Sequence, residues 1–187
     1  IINKFLKKVD KLGTIKVHKT NCLSSKNNLS TIKNEYYAYE NISSCLLGGI
    51  KKLEPFKIKF YSNFPCQFAF DQKLILAHKM YGFPYLDIND NYGVSTRDNY
   101  IILSENETEL VKIKDFLSTK TALYLFECTR YRMKYLEKYI FELIPDINKI
   151  KNFPEIINDA SIAEYYKFSE IEINAIQNLH KKNYLFY

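Results

Sequence analysis

The sequence predicts an α+β fold: an irregular antiparallel β region over about residues 14–104, followed by a helical C-terminal half. Three observations predict it. Short runs with strand-like alternation recur up to residue 104, separated by turn signals rich in Gly, Pro and Asn. Residues 106–139 then contain neither Gly nor Pro, and their apolar residues fall at helical spacing. Two Ser-x-x-Glu patterns, Ser161 to Glu164 and Ser169 to Glu172, mark helix starts near the end of the chain.

Taken in order, Ile2, Phe5, Leu6 and Val9 share one face of an opening helix that Gly13 stops. Residues 14–19 alternate with period two, as a half-buried strand does, and the polar stretch from Thr20 to Asn34 reads as a loop. Strands follow at Tyr36–Tyr39, Phe56–Tyr61, Lys73–His78 and Tyr100–Leu103, with turns at Gly48-Gly49, Pro65, Gly82-Phe83-Pro84 and the run from Asn89 to Gly93. Two helices are expected over about 107–117 and 120–142, the second stopped by Pro145, with Leu123, Phe126, Met133, Leu136 and Ile140 as core. The division expected is a leading helix or linker over 1–12, one α+β domain over 13–150 and a helical tail over 151–187.

With 187 residues, 47% hydrophobic, 16 Tyr and 13 Phe, the chain has apolar area enough for a core, and it needs neither disulfide nor metal staple. Cys22, Cys45, Cys66 and Cys128 are too widely spaced for a zinc site and read as reduced thiols of an intracellular, cytoplasmic protein. No apolar run is long enough to span a membrane, and no membrane partner is expected. A start without Met, inside a helical pattern, suggests a domain cut from a longer polypeptide. The net charge of +6 is an N-terminal property: residues 1–60 hold twelve Lys against four acids, the remainder fifteen Lys and Arg against seventeen acids. Such a segment suits phosphate, and it is also what an AT-rich coding sequence writes where it is free to choose. The three arginines, Arg97, Arg130 and Arg132, run against that bias.

No Gly-rich phosphate loop follows Gly48-Gly49, and His18, His78 and His180 lie in different elements, so no nucleotide or metal site is expected. Asp87 to Gly93 has a faint likeness to a calcium loop but lacks its closing Glu, and a hairpin turn is the better reading. Asn63-Phe64-Pro65-Cys66 matches an amino-methylating motif at two of four places and reads as a turn. Two segments resist so plain an account. Arg97 and Asn99 carry the planar donors that match guanine and adenine edges, against the alternative of an Arg97–Asp98 surface pair with Asn99 in the turn. Arg130, Lys134 and Lys138 recur at i, i+4, i+8 with Tyr131 and Arg132 interleaved, a cationic ridge for phosphates or an ordinary solvated helix face.

The block from Lys73 to Lys79, the run from Tyr92 to Ile102, Phe116-Leu117-Ser118-Thr119-Lys120 and Leu143-Ile144-Pro145-Asp146-Ile147 together resemble the C-terminal target-recognition region of adenine-N6 DNA methyltransferases. The likeness is to the TaqI-like specificity domain of type II restriction-modification enzymes. It covers about residues 70–180, and departs at Thr119, where Lys would follow Ser directly. The resemblance implies double-stranded DNA and an upstream methyltransferase domain as partners. It implies S-adenosylmethionine in the parent enzyme, with no catalytic residue and no cofactor in this chain. On this reading Arg97 and Asn99 read bases, while Lys79, Arg130, Arg132 and Lys134 hold the backbone. The rival class is a protein-interaction or scaffold module, since Tyr is favoured at such interfaces.

Overall fold

The computed structural model describes residues 1–20, 28–47, 55–78, 84–94, 99–129 and 136–179. The fold is α+β, with two four-stranded sheets and the helices gathered on one of them. The opening helix α1 (Ile2–Leu12) ends where Gly13 turns to φ 75 and its N–H bonds Val9 O. The first sheet has the order β1 (His18–Lys19), β8 (Asn99–Leu103), β5 (Lys73–Ala77), β6 (Tyr85–Asp87), all antiparallel. The second has the order β2 (Leu29–Ser30), β4 (Pro55–Ser62), β3 (Tyr39–Leu47), β7 (Gly93–Val94), antiparallel except for the parallel pair β3–β7.

Strand β5 shows why the sheets stack. All five of its residues are buried, because both of its faces are covered. Leu74 and Leu76, with Tyr100 and Ile102 of β8, turn to the helices, while Ile75 and Ile101 turn to Ile42, Cys45 and Val94 of the second sheet. The period of two thus divides one strand pair between two cores.

The helical layer holds α2 (Glu107–Leu117), α3 (Lys120–Cys128), α4 (Asp159–Tyr166) and α5 (Glu170–Gln177), with 3-10 turns over Lys138–Leu143 and Ile147–Lys149. Asn106 caps α2, its Oδ1 accepting from Thr108 N at 3.0 Å, and Glu107 and Glu109 favour the same helix end. Thr119 caps α3 through Ala122 N, and Asp159 accepts from Lys120 N at 3.1 Å and Thr121 N at 2.7 Å. Phe5 of α1 stacks on Tyr166 with centroids 4.4 Å apart, so the first and last parts of the chain pack into the core of the middle.

Several expectations are corrected by this arrangement. Only His18–Lys19 of the stretch 14–19 joins a sheet; Thr14 makes a single bridge to Pro145. Residues 35–37 are a bend, and the strand starting at Tyr39 runs on to Leu47; its bulge between Ile42 and Ser44 interrupts the alternation that would have revealed it. The helix expected over 120–142 ends at Cys128. Thr129 bonds back to Leu125 O and Phe126 O, and Leu136 N–H is drawn to His78 O, so Leu136 and Ile140 enter the core from outside α3. Ser161 is the third residue of α4, answering a cap on Asn158, whereas Ser169 and Glu172 form the expected box. Asp87 to Gly93 is a turn, but it carries the chain from one sheet to the other and closes no hairpin.

Candidate nucleic-acid interface

The end of the first sheet where Ala77 pairs with Asn99 gathers chain from four directions. Leu136 N donates to His78 O at 2.7 Å, and Tyr100 Oη donates to Leu136 O at 2.8 Å. Thr20 N and Thr20 Oγ1 both donate to Asn99 O at 3.2 Å. The Tyr100 ring lies 5.7 Å from that of His78 and 5.4 Å from Phe141, which contacts Phe126 of α3 in turn. Beyond Phe126, Thr129 O accepts the Tyr139 hydroxyl. Burial pushes the Tyr100 phenol well above its ordinary value, so it stays a neutral donor.

These anchors bracket the segments that carry the expected contact residues. Lys79 follows His78, Arg97 precedes Asn99 by two residues, Lys134 precedes Leu136 by two, and Arg130 follows Thr129, with Arg132 between Thr129 and Leu136. Lys79, Arg97, Arg130, Arg132 and Lys134 themselves fall outside the described residues.

Asn99 is placed, and it is not free to read a base. It is wholly buried, and its Nδ2 donates to Ser43 O at 2.9 Å, tying the first sheet to the second. An amide enclosed in that way presents no edge to a duplex. Helix α3 stops at Cys128 and Lys138 opens a 3-10 turn, so the long helix expected to carry the cationic ridge does not run through to Lys138; Arg130, Tyr131, Arg132 and Lys134 lie outside the described residues. The expected core residues Leu123, Phe126, Leu136 and Ile140 are buried; Met133 lies outside the described residues.

The chain matches no family model, no curated protein and no solved structure. Cys45, Cys66 and Cys128 are unbridged thiols, while Cys22 lies outside the described residues. Among the described residues no group of three His, Cys, Asp or Glu side chains could hold a metal, and no helix is long and apolar enough to cross a membrane. Asn63-Phe64-Pro65-Cys66 is a turn: Ser62 Oγ donates to Phe64 O, and Asn63 Nδ2 donates to the Tyr36 hydroxyl.

Sequence reasoning missed the scaffold of this end. Tyr100, His78 and Leu136 read as ordinary strand and helix positions, and the only signal was the aromatic at the first apolar position of β8.

Proposed function

We propose that the chain is a duplex-DNA-binding module, the target-recognition part of an adenine-N6 DNA methyltransferase or restriction-modification enzyme, with methyl transfer carried out by a separate catalytic domain. One observation supports the reading: Asn99 and Leu136, the described residues that follow the stretches of sequence holding all three arginines of a lysine-rich chain, both lie at the same sheet end. Arginine's planar fork suits both guanine edges and phosphates, where lysine offers only a point charge. Arg97 is assigned to base readout, and Lys79, Arg130, Arg132 and Lys134 to the backbone; Asn99 serves as their scaffold.

S-adenosylmethionine belongs to the catalytic domain on this reading. The described glycines, Gly13 and Gly93, cap a helix and pack against Asn41 and Cys66, and neither belongs to a cofactor loop. On this reading the chain alone transfers no methyl group, and transfer to any duplex by it would refute the assignment.

Fluorescence anisotropy with duplex DNA at about 50 and 200 mM salt tests the binding, with non-specific Kd values of about 10⁻⁴–10⁻⁶ M expected near physiological salt. Arg97→Ala should relax discrimination at one base pair by about 1–3 kcal/mol in selection from a random duplex library, whereas Lys134→Ala should weaken all duplexes alike and reduce the salt slope by about one unit. No binding at low salt would favour the interaction module, a reading to which the exposed rings of Tyr36 and Phe70 lend weight.

A further inference from the structure

Strand β4 is paired along its whole length on one side and over two residues on the other. Its neighbour β3 accompanies it from Tyr39 opposite Ser62 to Leu47 opposite Pro55. On the far side β2 reaches only Tyr61 and Ser62. Past Ser30 the chain turns away: Ser30 Oγ donates to Ile32 O at 2.8 Å and accepts from Ile32 N at 3.0 Å, and Asn34 Oδ1 then accepts from Tyr36 N and Tyr37 N. From Pro55 to Phe60, therefore, no described strand pairs with this edge of β4. Alternate residues of an antiparallel strand turn both their N–H and their C=O to the same side, so the edge offers a row of donors and acceptors to a further strand.

The edge is also cationic. Glu40, opposite Tyr61 in the β3–β4 register, accepts from Lys33 Nζ at 3.2 Å and from Lys59 Nζ at 3.4 Å, so two ammonium groups share one carboxylate. Lys33 is 56% exposed and Lys59 39%, and neither meets a second carboxylate among the described residues. Lys57, two residues along β4 from Lys59, holds a register position of the same face.

We propose that this edge of β4 takes up an extended acidic segment of a protein partner as a further antiparallel strand, its acidic residues opposite Lys57 and Lys59 and its apolar ones opposite Phe56, Ile58 and Phe60. Strand addition draws affinity from the backbone ladder and selectivity from alternate side chains. A second copy of the chain is the wrong strand. Antiparallel pairing of β4 with itself about Ile58 sets Lys57 against Lys59, the neighbouring face-matched registers set Lys57 or Lys59 against itself, and like charges directly opposite are destabilising. Nucleic acid would meet the lysines but leave the row of N–H and C=O groups without a ladder. The inference does not rest on DNA binding, since it concerns an edge of the second sheet.

The test is amide exchange and an NMR titration of the whole chain with three probes: acetyl-Val-Glu-Val-Glu-Val-amide, the same peptide with Gln for Glu, and the acidic peptide with its backbone nitrogens methylated. In the free chain the amides between Phe56 and Phe60 that point away from β3 should exchange without protection. The acidic peptide should bind saturably in the millimolar range and slow them by about threefold or more. The glutamine peptide should bind about threefold more weakly, and the methylated one should leave those amides unprotected. Lys57→Glu, with unchanged spectra elsewhere, should weaken the acidic peptide by about threefold and favour a Val-Lys-Val-Lys-Val counterpart. Protection of every β4 amide in the free chain would mean that the edge is already paired, and would overturn the proposal. So would equal binding of the glutamine peptide. Equal binding of the methylated peptide would reduce the edge to a patch of charge open to phosphate as well, and overturn strand addition.

Discussion

Lys73 places a charge where the strand pattern calls for an apolar side chain, on the same face of β5 as Ile75 and turned toward the second sheet. Its ammonium and the Asp87 carboxylate are almost wholly removed from solvent, 2.8 Å apart. Asp87 also accepts from Asn91 N at 3.1 Å and Tyr92 N at 2.9 Å, and so holds the turn that delivers β7 to the second sheet. Removing one partner strands the other charge in the interior, at a cost of about 3–5 kcal/mol. Lys73→Met should lose that much in urea denaturation, and Lys73→Met/Asp87→Asn should recover most of it, because the asparagine oxygen still accepts from the turn. Equal losses in both would mean that the charge is not the issue. Asp87 was legible in the sequence as a turn residue; the partner that makes it costly to remove was not, because nothing in a run of apolar neighbours singles out Lys73.

At the scale of elements, legibility followed the caps. Helix α2 lies where the pattern placed it, because Asn106 and two early glutamates define its start and four buried apolar residues hold one face. Helix α3 fell short of its pattern because its apolar periodicity was real but belonged to two segments filling one core, a tertiary effect that no local signal reports. Strand β3 was hidden by its bulge. Glu172 shows what a legible cap can conceal. It completes the box with Ser169, and it also accepts from Lys4 Nζ at 2.6 Å and from the amino group of Ile1 at 2.8 Å, clamping α5 to α1. Lys4 first, then the Ile1 amino group and Ser169 N–H, hold its carboxyl down from 4.5 to about 2. A depressed carboxyl stabilises the fold above its unfolded value and loses that contribution as the pH falls from about 4.5 through 2. The melting temperature should therefore fall over that window, and Glu172→Gln should flatten this part of the profile. A variant profile parallel to the parent's would exclude the clamp.

For the whole molecule, one core cluster runs from Phe5 through Phe116 to Tyr166 and Ile176. Cutting the chain after Ile150 would uncover Phe5 and Phe116 and remove the Asp159 carboxylate from the start of α3. The truncated chain should show no cooperative thermal transition, and its amides in α3 should exchange as fast as those of an unfolded peptide. Sharp melting of residues 1–150 would instead make the C-terminal helices an accessory. Of the candidate site, composition made the arginines legible, since they stand out from a lysine background. The meeting of Asn99, His78 and Leu136 at one sheet end was not, for it depends on antiparallel register and on a hydrogen bond between residues 58 apart, His78 and Leu136.

The two ends of β5 and β8 are about 13 Å apart, four residues of strand. Around one end Asn99 O takes both Thr20 donors and Leu136 N–H donates to His78 O, so several stretches of chain are tied together there; around the other, Leu103, Asp71 and Glu105 are exposed. The strand pair is pinned at one end and wet at the other, and its local opening begins beside Leu103.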